Sequence, residues 1–346
     1  MKRFIFKYFL YSLPIVVPLI FFAVFINPHL HGDIGPLGYV TFDDDYGMFE
    51  LAVDNKVVNC RYTYHNFNDS CILTVGDSFS QTNKNNGEIS YNYFLANYTD
   101  YNVINLNQQW DVNPFVRFLY MSKTISLPKI VVIECVERYL VEHVLNTNIS
   151  MHAIDIVNNK LLDTISDVKP KSKSLLEKTQ EWIKRELCLI GYENPIKSAR
   201  LTQSYFSCEN REGELYFYVD DLRNVELTDS MMMNVIETLD SLFKYTETIG
   251  VQLYILIAAD KYGVYQDYIV DNPFPKHNVS DKLCTMYGNP YLINSKDTLS
   301  RMVASGVQDV YWCNNTHWSP VGAEAVAVQV AKVINKTQGK EIFIVD

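Results

Sequence analysis

Two short stretches, far apart in the chain, hold residue types that can act as a nucleophile and a base. They are Gly76-Asp77-Ser78-Phe79-Ser80 and Asn315-Thr316-His317-Trp318-Ser319-Pro320. A serine hydroxyl attacks an acyl carbon only when a base takes its proton, so such chemistry needs an imidazole within hydrogen-bond reach of the hydroxyl. Ser78 and His317 are the candidate pair. Either stretch alone is a modest signal: Gly-Asp-Ser also opens capped helices, and a histidine before a tryptophan also serves plain packing.

The elements around them decide whether the pair can meet. Ser78 follows the apolar run Cys71-Ile72-Leu73-Thr74-Val75, which places it just past the carboxyl end of a strand, where open α/β sheets carry their chemistry. His317 lies immediately before a predicted helix from Pro320 to Ile334. Pro320 suits its first position and Ser319 its cap, and Val321, Ala325, Val328 and Val333 read as its apolar face. Between the two stretches, short β-rich runs alternate with helical ones. Strands are predicted at Asn102 to Leu106, Ile130 to Ile133, Leu253 to Ile257 and Asp309 to Trp312, and helices at Ile89 to Ala96, Phe115 to Ser122 and Asp229 to Thr248. That alternation indicates a mostly parallel sheet with helices on both faces. Residues 140–225 break the rhythm and read as an insertion, helical from Leu175 to Leu189, within a domain spanning 71–346. Residues 31–70 read as a β-rich lead-in.

Residues 1–30 are set apart. Tyr8 to Ile26 is an uncharged, mostly apolar run of 19 residues, close to the roughly 20 needed to span a bilayer. Lys2, Arg3 and Lys7 precede it and no lysine or arginine follows until Lys56, so the expected topology is an inside amino terminus and an extracytoplasmic body. A cleaved signal peptide is the rival reading, but no small-x-small cleavage site follows Ile26.

The net charge of −10 argues against a nucleic-acid partner, which requires a basic face. The seven cysteines, Cys60, Cys71, Cys135, Cys188, Cys208, Cys284 and Cys313, contain no C-x-x-C pair, so no zinc site is expected. The pairs Cys60/Cys71, Cys188/Cys208 and Cys284/Cys313 are open as disulfides, and Cys135 is expected to be a buried thiol. Asp43-Asp44-Asp45 reads as a solvated acidic turn, since a calcium loop spreads its ligands more widely.

Serine after the first core strand, His317-Trp318 before the last helix and Gly322-Ala323 one turn into it together resemble the SGNH-hydrolase-like superfamily. Within it they resemble the alginate O-acetyltransferase family, whose members O-acetylate exported polysaccharides. The resemblance covers about residues 70–138 and 250–335. It implies a three-layer α/β/α fold, Ser78 as the acyl-accepting nucleophile and His317 as its general base. Asp77 beside the serine, and Asn107 at the end of Val103-Ile104-Asn105-Leu106-Asn107, fall where the family builds its oxyanion and substrate contacts. Glu137-Arg138, closing Val131-Val132-Ile133-Glu134-Cys135-Val136, and Lys261 after the fourth strand look like the acetyltransferase branch. Read from the residues alone, Glu137-Arg138 is equally an exposed ion pair and Lys261 a solvated loop lysine.

One position departs from the family pattern, in which aspartate stands two residues before the histidine; here it is Asn315. An amide accepts a hydrogen bond from Nδ1–H but does not neutralise imidazolium. Three outcomes stay open: Asn315 alone orients the ring, another carboxylate such as Asp309 or Asp260 reaches it, or the site is inactive.

The expected function is thus a membrane-anchored extracytoplasmic O-acetyltransferase acting on a polysaccharide through acetyl-Ser78, with a membrane-bound acetyl-transfer partner implied by the resemblance. The alternatives are a carbohydrate acetyl esterase and a non-catalytic glycan-binding subunit. No metal or organic cofactor is implied.

Overall fold

The computed structural model of the protein describes residues 11–18, 32–38, 40, 57–60, 70–81, 89–106, 113–150, 194–223 and 227–339. Asn107, Asp43 to Asp45, Cys188 and the predicted helix at 175–189 lie outside the described residues. Residues 11–18 are helical, and among the described residues no helix is long and apolar enough to cross a membrane. The remainder of the Tyr8 to Ile26 run lies outside them.

Six strands form one parallel sheet. In chain order they are β1 (Val57–Cys60), β2 (Cys71–Val75), β3 (Asn102–Leu106), β4 (Ile130–Val136), β7 (Gln252–Ala258) and β8 (Leu292–Asn294). Their spatial order is β1-β3-β2-β4-β7-β8. The continuous apolar runs of the central strands follow from coverage on both faces. Ile72, Val132, Tyr254 and Leu256 point into one core, and Leu73, Val75, Val131, Ile133, Ile255 and Ile257 into the other. Alternate residues of a strand face opposite sides, so a strand buried on both must be apolar throughout. Against the first face pack α2 (Tyr91–Tyr98), α6 (Lys261–Tyr265), α8 (Ser295–Ala304) and α9 (Pro320–Thr337). Against the second pack α3 (Pro114–Thr124), α4 (Glu137–Leu145), α5 (Asp229–Thr248) and α7 (Val279–Tyr287). The result is the three-layer α/β/α arrangement expected.

Strand order fixes where a site belongs. The chain leaves β2 toward β3 on one side and leaves β4 toward β7 on the other, although β2 and β4 are neighbours. Their carboxyl ends therefore diverge into a crevice, the topological switch point at which open α/β sheets bind ligands. Ser78 follows β2.

Three expectations need correction. The fifth strand from Asp309 to Trp312 is absent: Asp309 has φ of 53° and Tyr311 makes only a single bridge, to Trp318. The sheet is completed instead by three residues, Leu292–Asn294, too short to show a periodicity. In α9 the buried face is Ala323, Val326, Ala327, Val330, Ala331 and Ile334, while Val321 is exposed. The small alanines, not the first valine, seat the helix on α2. Part of the stretch read as an insertion also joins the core. Its antiparallel hairpin, β5 (Ile196–Arg200) with β6 (Glu214–Tyr218), puts Leu215 and Phe217 into the first core. The lead-in is not wholly β-rich, because Ile34–Gly38 forms a short helix, α1, against that hairpin.

Cysteine placement follows the two-faced core. Cys313 neighbours Cys208 on the first face, whereas Cys284 packs on the second, so Cys284/Cys313 is not a pair. Burial pushes the Cys135 thiol well up, as suits a core residue.

Candidate active site

The turn that carries Ser78 is held by buried groups from four elements. After β2 the chain passes Gly76 and enters a 3-10 turn, Ser78–Ser80, capped by Asp77. Asp77 Oδ1 accepts from the Phe79 amide at 3.1 Å and Oδ2 from the Val136 amide at 2.9 Å, which ties the ends of β2 and β4 together. Glu134 Oε2 accepts from the Asp77 amide at 3.0 Å and from Ser80 Oγ at 2.8 Å. Burial, with Asp77 beside it, pushes Glu134 well above the usual carboxylate range. Gly76 is required here: a Cβ would fall 2.1 Å from Ser80 Oγ and 2.4 Å from Glu134 Oε2. On the far side the Ser80 carbonyl accepts from Asn105 Nδ2 at 2.7 Å and Asn92 Nδ2 at 2.9 Å. The amides of Asp77, Phe79, Ser80 and Gln81 are all spent within this arrangement. The Ser78 amide is the turn's remaining N–H.

His317 arrives from the loop before α9. Ser319 caps that helix, its Oγ accepting from the amides of Val321 and Gly322 at 3.1 and 3.3 Å. Asn315 Oδ1 accepts from the His317 amide at 2.9 Å and lies 2.7 Å from Nδ1. The Phe79 ring, next to Ser78, lies 4.7 Å from the imidazole and 4.8 Å from Trp318, centroid to centroid. Trp318 Nε1 donates to Tyr311 Oη at 2.9 Å, and that hydroxyl donates to the Ala259 carbonyl at 2.6 Å. Ser78, Phe79, Gln81, Ile89, His317 and Trp318 thus line a single narrow cleft. With Nδ1 held by Asn315, Nε2 is the nitrogen left to serve the serine.

A carboxylate also reaches the ring, and it is neither Asp309 nor Asp260. Asp33 Oδ2 lies 3.4 Å from His317 Nδ1. The same carboxylate accepts from the Thr316 amide at 2.7 Å and from Thr316 Oγ1. Burial pushes the Asp33 pKa up, but the hydrogen bond and charge of His317, aided by Thr316, outweigh it and hold the group below its ordinary 3.8. The approach is close: Ile34 donates its amide to the Asn314 carbonyl at 3.1 Å, and Gly32, at φ of 74°, would put a Cβ 2.1 Å from that oxygen. Asp309 instead accepts from the Ser207 amide and Asp260 pairs with Arg138.

Among the described residues, the other expected site residues Asp77, Glu137, Arg138 and Lys261 do not line the cleft. Asp77 is spent on backbone amides and is a clamp, not a substrate contact. Glu137 and Arg138 are both buried and do not pair with each other. Arg138 bonds Asp260, and Asp221 at 3.2 Å, while Glu137 accepts from the amides of Ser280 and Asp260. Burial raises Asp221 to about 8 and Asp260 to about 7, against the pull of Arg138. Lys261 is neither solvated nor open to substrate. It is fully buried, and its Nζ donates to the carbonyls of Trp312, Cys313 and Asn315 at 2.7, 2.9 and 3.1 Å. A polar pin thus holds the loop that carries His317.

Lys261→Met, which keeps an unbranched side chain one atom shorter, is expected to leave those carbonyls without their donor. Each buried acceptor so stranded costs about 1–3 kcal/mol, so thermal unfolding followed by circular dichroism should show a clear drop in Tm. Burial lowers the Lys261 pKa from 10.5 to about 8. Between those values the unfolded chain binds more protons, so this group's contribution to stability rises with pH from about 8 toward 10.5. The methionine variant should lack that rise.

The search of curated proteins finds no match. A family model does match: residues 215–343 fit the SGNH hydrolase-like domain of acetyltransferase AlgX. The matched stretch runs from β6 through the His317 loop and α9. The Ser78 turn lies before it, and the His317 loop lies within it. Asp33 and Glu134 had no sequence signal pointing to them: Asp33 is isolated in a Gly-Asp-Ile step, and Glu134 stands inside an apolar strand. Residues 215–343, which carry the histidine loop, its cap and part of the parallel sheet, are thus similar to the SGNH hydrolase-like domain of acetyltransferase AlgX.

Proposed function

We propose that the protein is a serine-dependent O-acetyltransferase, anchored by its amino-terminal apolar run, whose body works outside the cytoplasm on a surface or exported polysaccharide. The observation that carries the reading is the shared cleft of Ser78 and His317 at the switch point of the sheet, with Nδ1 held from behind by Asn315 and Asp33. Ser78 Oγ attacks the acetyl carbonyl of the donor while Nε2 of His317 takes its proton. The Ser78 amide faces the developing oxyanion, and the leaving group departs with the proton from the imidazolium. A sugar hydroxyl, deprotonated by the same nitrogen, then attacks acetyl-Ser78 and restores the free serine. Extracytoplasmic placement and the polysaccharide acceptor rest on the basic residues before the apolar run and on the AlgX family match. Asn315 in the acid position favours a second reading, a glycan-binding domain without turnover, which the ionised Asp33 beside Nδ1 counters.

The test is chemical. Brief incubation with p-nitrophenyl acetate followed by peptide mass analysis is expected to show one acetyl group on the peptide carrying Ser78. Addition of acceptor oligosaccharide should move that group to sugar. Free acetate alone would identify a carbohydrate esterase, and an unlabelled Ser78 with glycan still bound would establish the binding reading.

A further inference from the structure

The carboxyl ends of β4 and β7 also bring together three side chains that the acyl-transfer chemistry does not use. Glu137 opens α4, Asp260 follows β7, and His277 precedes α7. All three are fully buried, and one ligand atom from each lies within 4.8 Å of the other two. His277 Nδ1 faces Glu137 Oε2 at 3.5 Å.

Their polar groups are incompletely used. Neither ring nitrogen of His277 has a hydrogen-bond partner, nor has Asp260 Oδ2 or Ser280 Oγ beside them. Buried polar atoms are nearly always paired, and an idle imidazole in the interior carries its full desolvation cost. The charges are also unbalanced. Arg138 serves both Asp260 and Asp221, Lys296 serves Asp281, and among the described residues no lysine or arginine reaches Glu137. One unpartnered imidazole facing two carboxylates forms a donor set suited to a divalent first-row metal.

We propose that Glu137, Asp260 and His277 form a buried binding site for a divalent transition-metal ion, zinc being the best match to one nitrogen and two oxygen ligands. Ligands about 2.0–2.1 Å from a tetrahedral zinc stand about 3.4 Å apart, close to the Glu137 to His277 separation. The ion has a way in: a cleft of about 370 Å³ runs past Gly263, Gln266, Asp281 and Lys296. A Cβ on Gly263 would lie 3.3 Å from His277 Nδ1, 3.5 Å from Glu137 Oε2 and 3.8 Å from Lys296 Cε, so the glycine backbone and the Lys296 stem lie between cleft and ligands. The ion would join the ends of β4 and β7 to the loop before α7, which makes it a structural tie separate from the serine cleft. The sequence carried no sign of it, because the ligands are spread over 140 positions without a spacing motif.

The site is independent of the acyl-transfer reading and is tested without an activity assay. The untagged full chain, purified in detergent and stripped with chelator, is titrated with Zn²⁺ against a competing chelating dye and with Co²⁺ by visible absorption. Expected are one equivalent bound per chain, a tetrahedral Co²⁺ ligand-field spectrum and a higher Tm with metal present. His277→Ala and Glu137→Gln should each weaken binding at least tenfold and abolish the spectrum. A wild-type chain that takes up no stoichiometric Zn²⁺ or Co²⁺ overturns the proposal, even if a variant fails to fold. So does a His277→Ala chain whose affinity and spectrum equal those of wild type.

Discussion

Ser78→Ala is expected to abolish turnover of acetyl esters, with a fall in kcat of at least about 10³-fold, the scale on which serine-histidine sites lose rate when the nucleophile is removed. The argument is that no other group can replace it. The neighbouring hydroxyl, Ser80 Oγ, is bound to Glu134 beneath the turn, and the Asp77 carboxylate is spent on two amides. The substitution should leave the fold alone, because the bonds that hold the turn run through Asp77, Ser80, Asn92, Asn105 and Glu134. Tm should therefore stay within the small range of a benign surface change. Steady-state hydrolysis of p-nitrophenyl acetate checks the rate and calorimetry checks the fold. Undiminished turnover in a folded alanine variant would remove Ser78 from the mechanism.

Asp33→Asn should have the second largest effect, a drop in kcat of about 10²-fold or more with KM little changed. Loss of the acid in a serine triad costs up to about 10⁴. Here Asn315 still holds Nδ1 at 2.7 Å while Asp33 lies at 3.4 Å, so part of the orientation survives and mainly the charge is lost. A reciprocal change makes the test specific. Asn315→Asp placed in the Asp33→Asn chain returns a carboxylate to the ring and should recover most of the rate, which a purely structural role for Asp33 would not allow. The pH dependence of stability gives an independent readout. The folded pKa of Asp33 lies below its ordinary value of 3.8, so its contribution to stability is present above 3.8 and is lost as pH falls through the folded pKa. The asparagine variant should lack that acid loss. Wild-type kcat in Asp33→Asn would leave Asn315 as the sole orienting group.

Much of the framework is legible locally. Strand β2, strand β3 and α5 have the bounds their residues suggest, since a doubly covered strand must be apolar throughout and a core-facing helix must repeat near 3.6 residues. The Ser78 and His317 stretches are visible for a related reason: each sits at the end of such an element, where the change of pattern marks the loop. The buried face of α9 was misread because alanine and valine alternate around the whole helix. Residue identity then does not distinguish one face from the other, and packing against α2 selects it.

The order of residues determined by itself the candidate nucleophile and base, the parallel sheet between them and the gap left by Asn315, because each depends on neighbours within a few positions. Only the tertiary structure decided what fills that gap. Asp33 stands 284 positions from His317 in a segment with no periodic signal, and it meets the ring because Gly32 lets the chain lie against the Asn314 carbonyl. Burial settled the remaining roles. Lys261 and Glu137-Arg138 read as surface charges in one dimension, but in three they lie beneath the sheet's carboxyl edge. There an unpaired polar group is too costly to leave idle, so each is bound to the loop, carboxylate or backbone amide that folding brings to it.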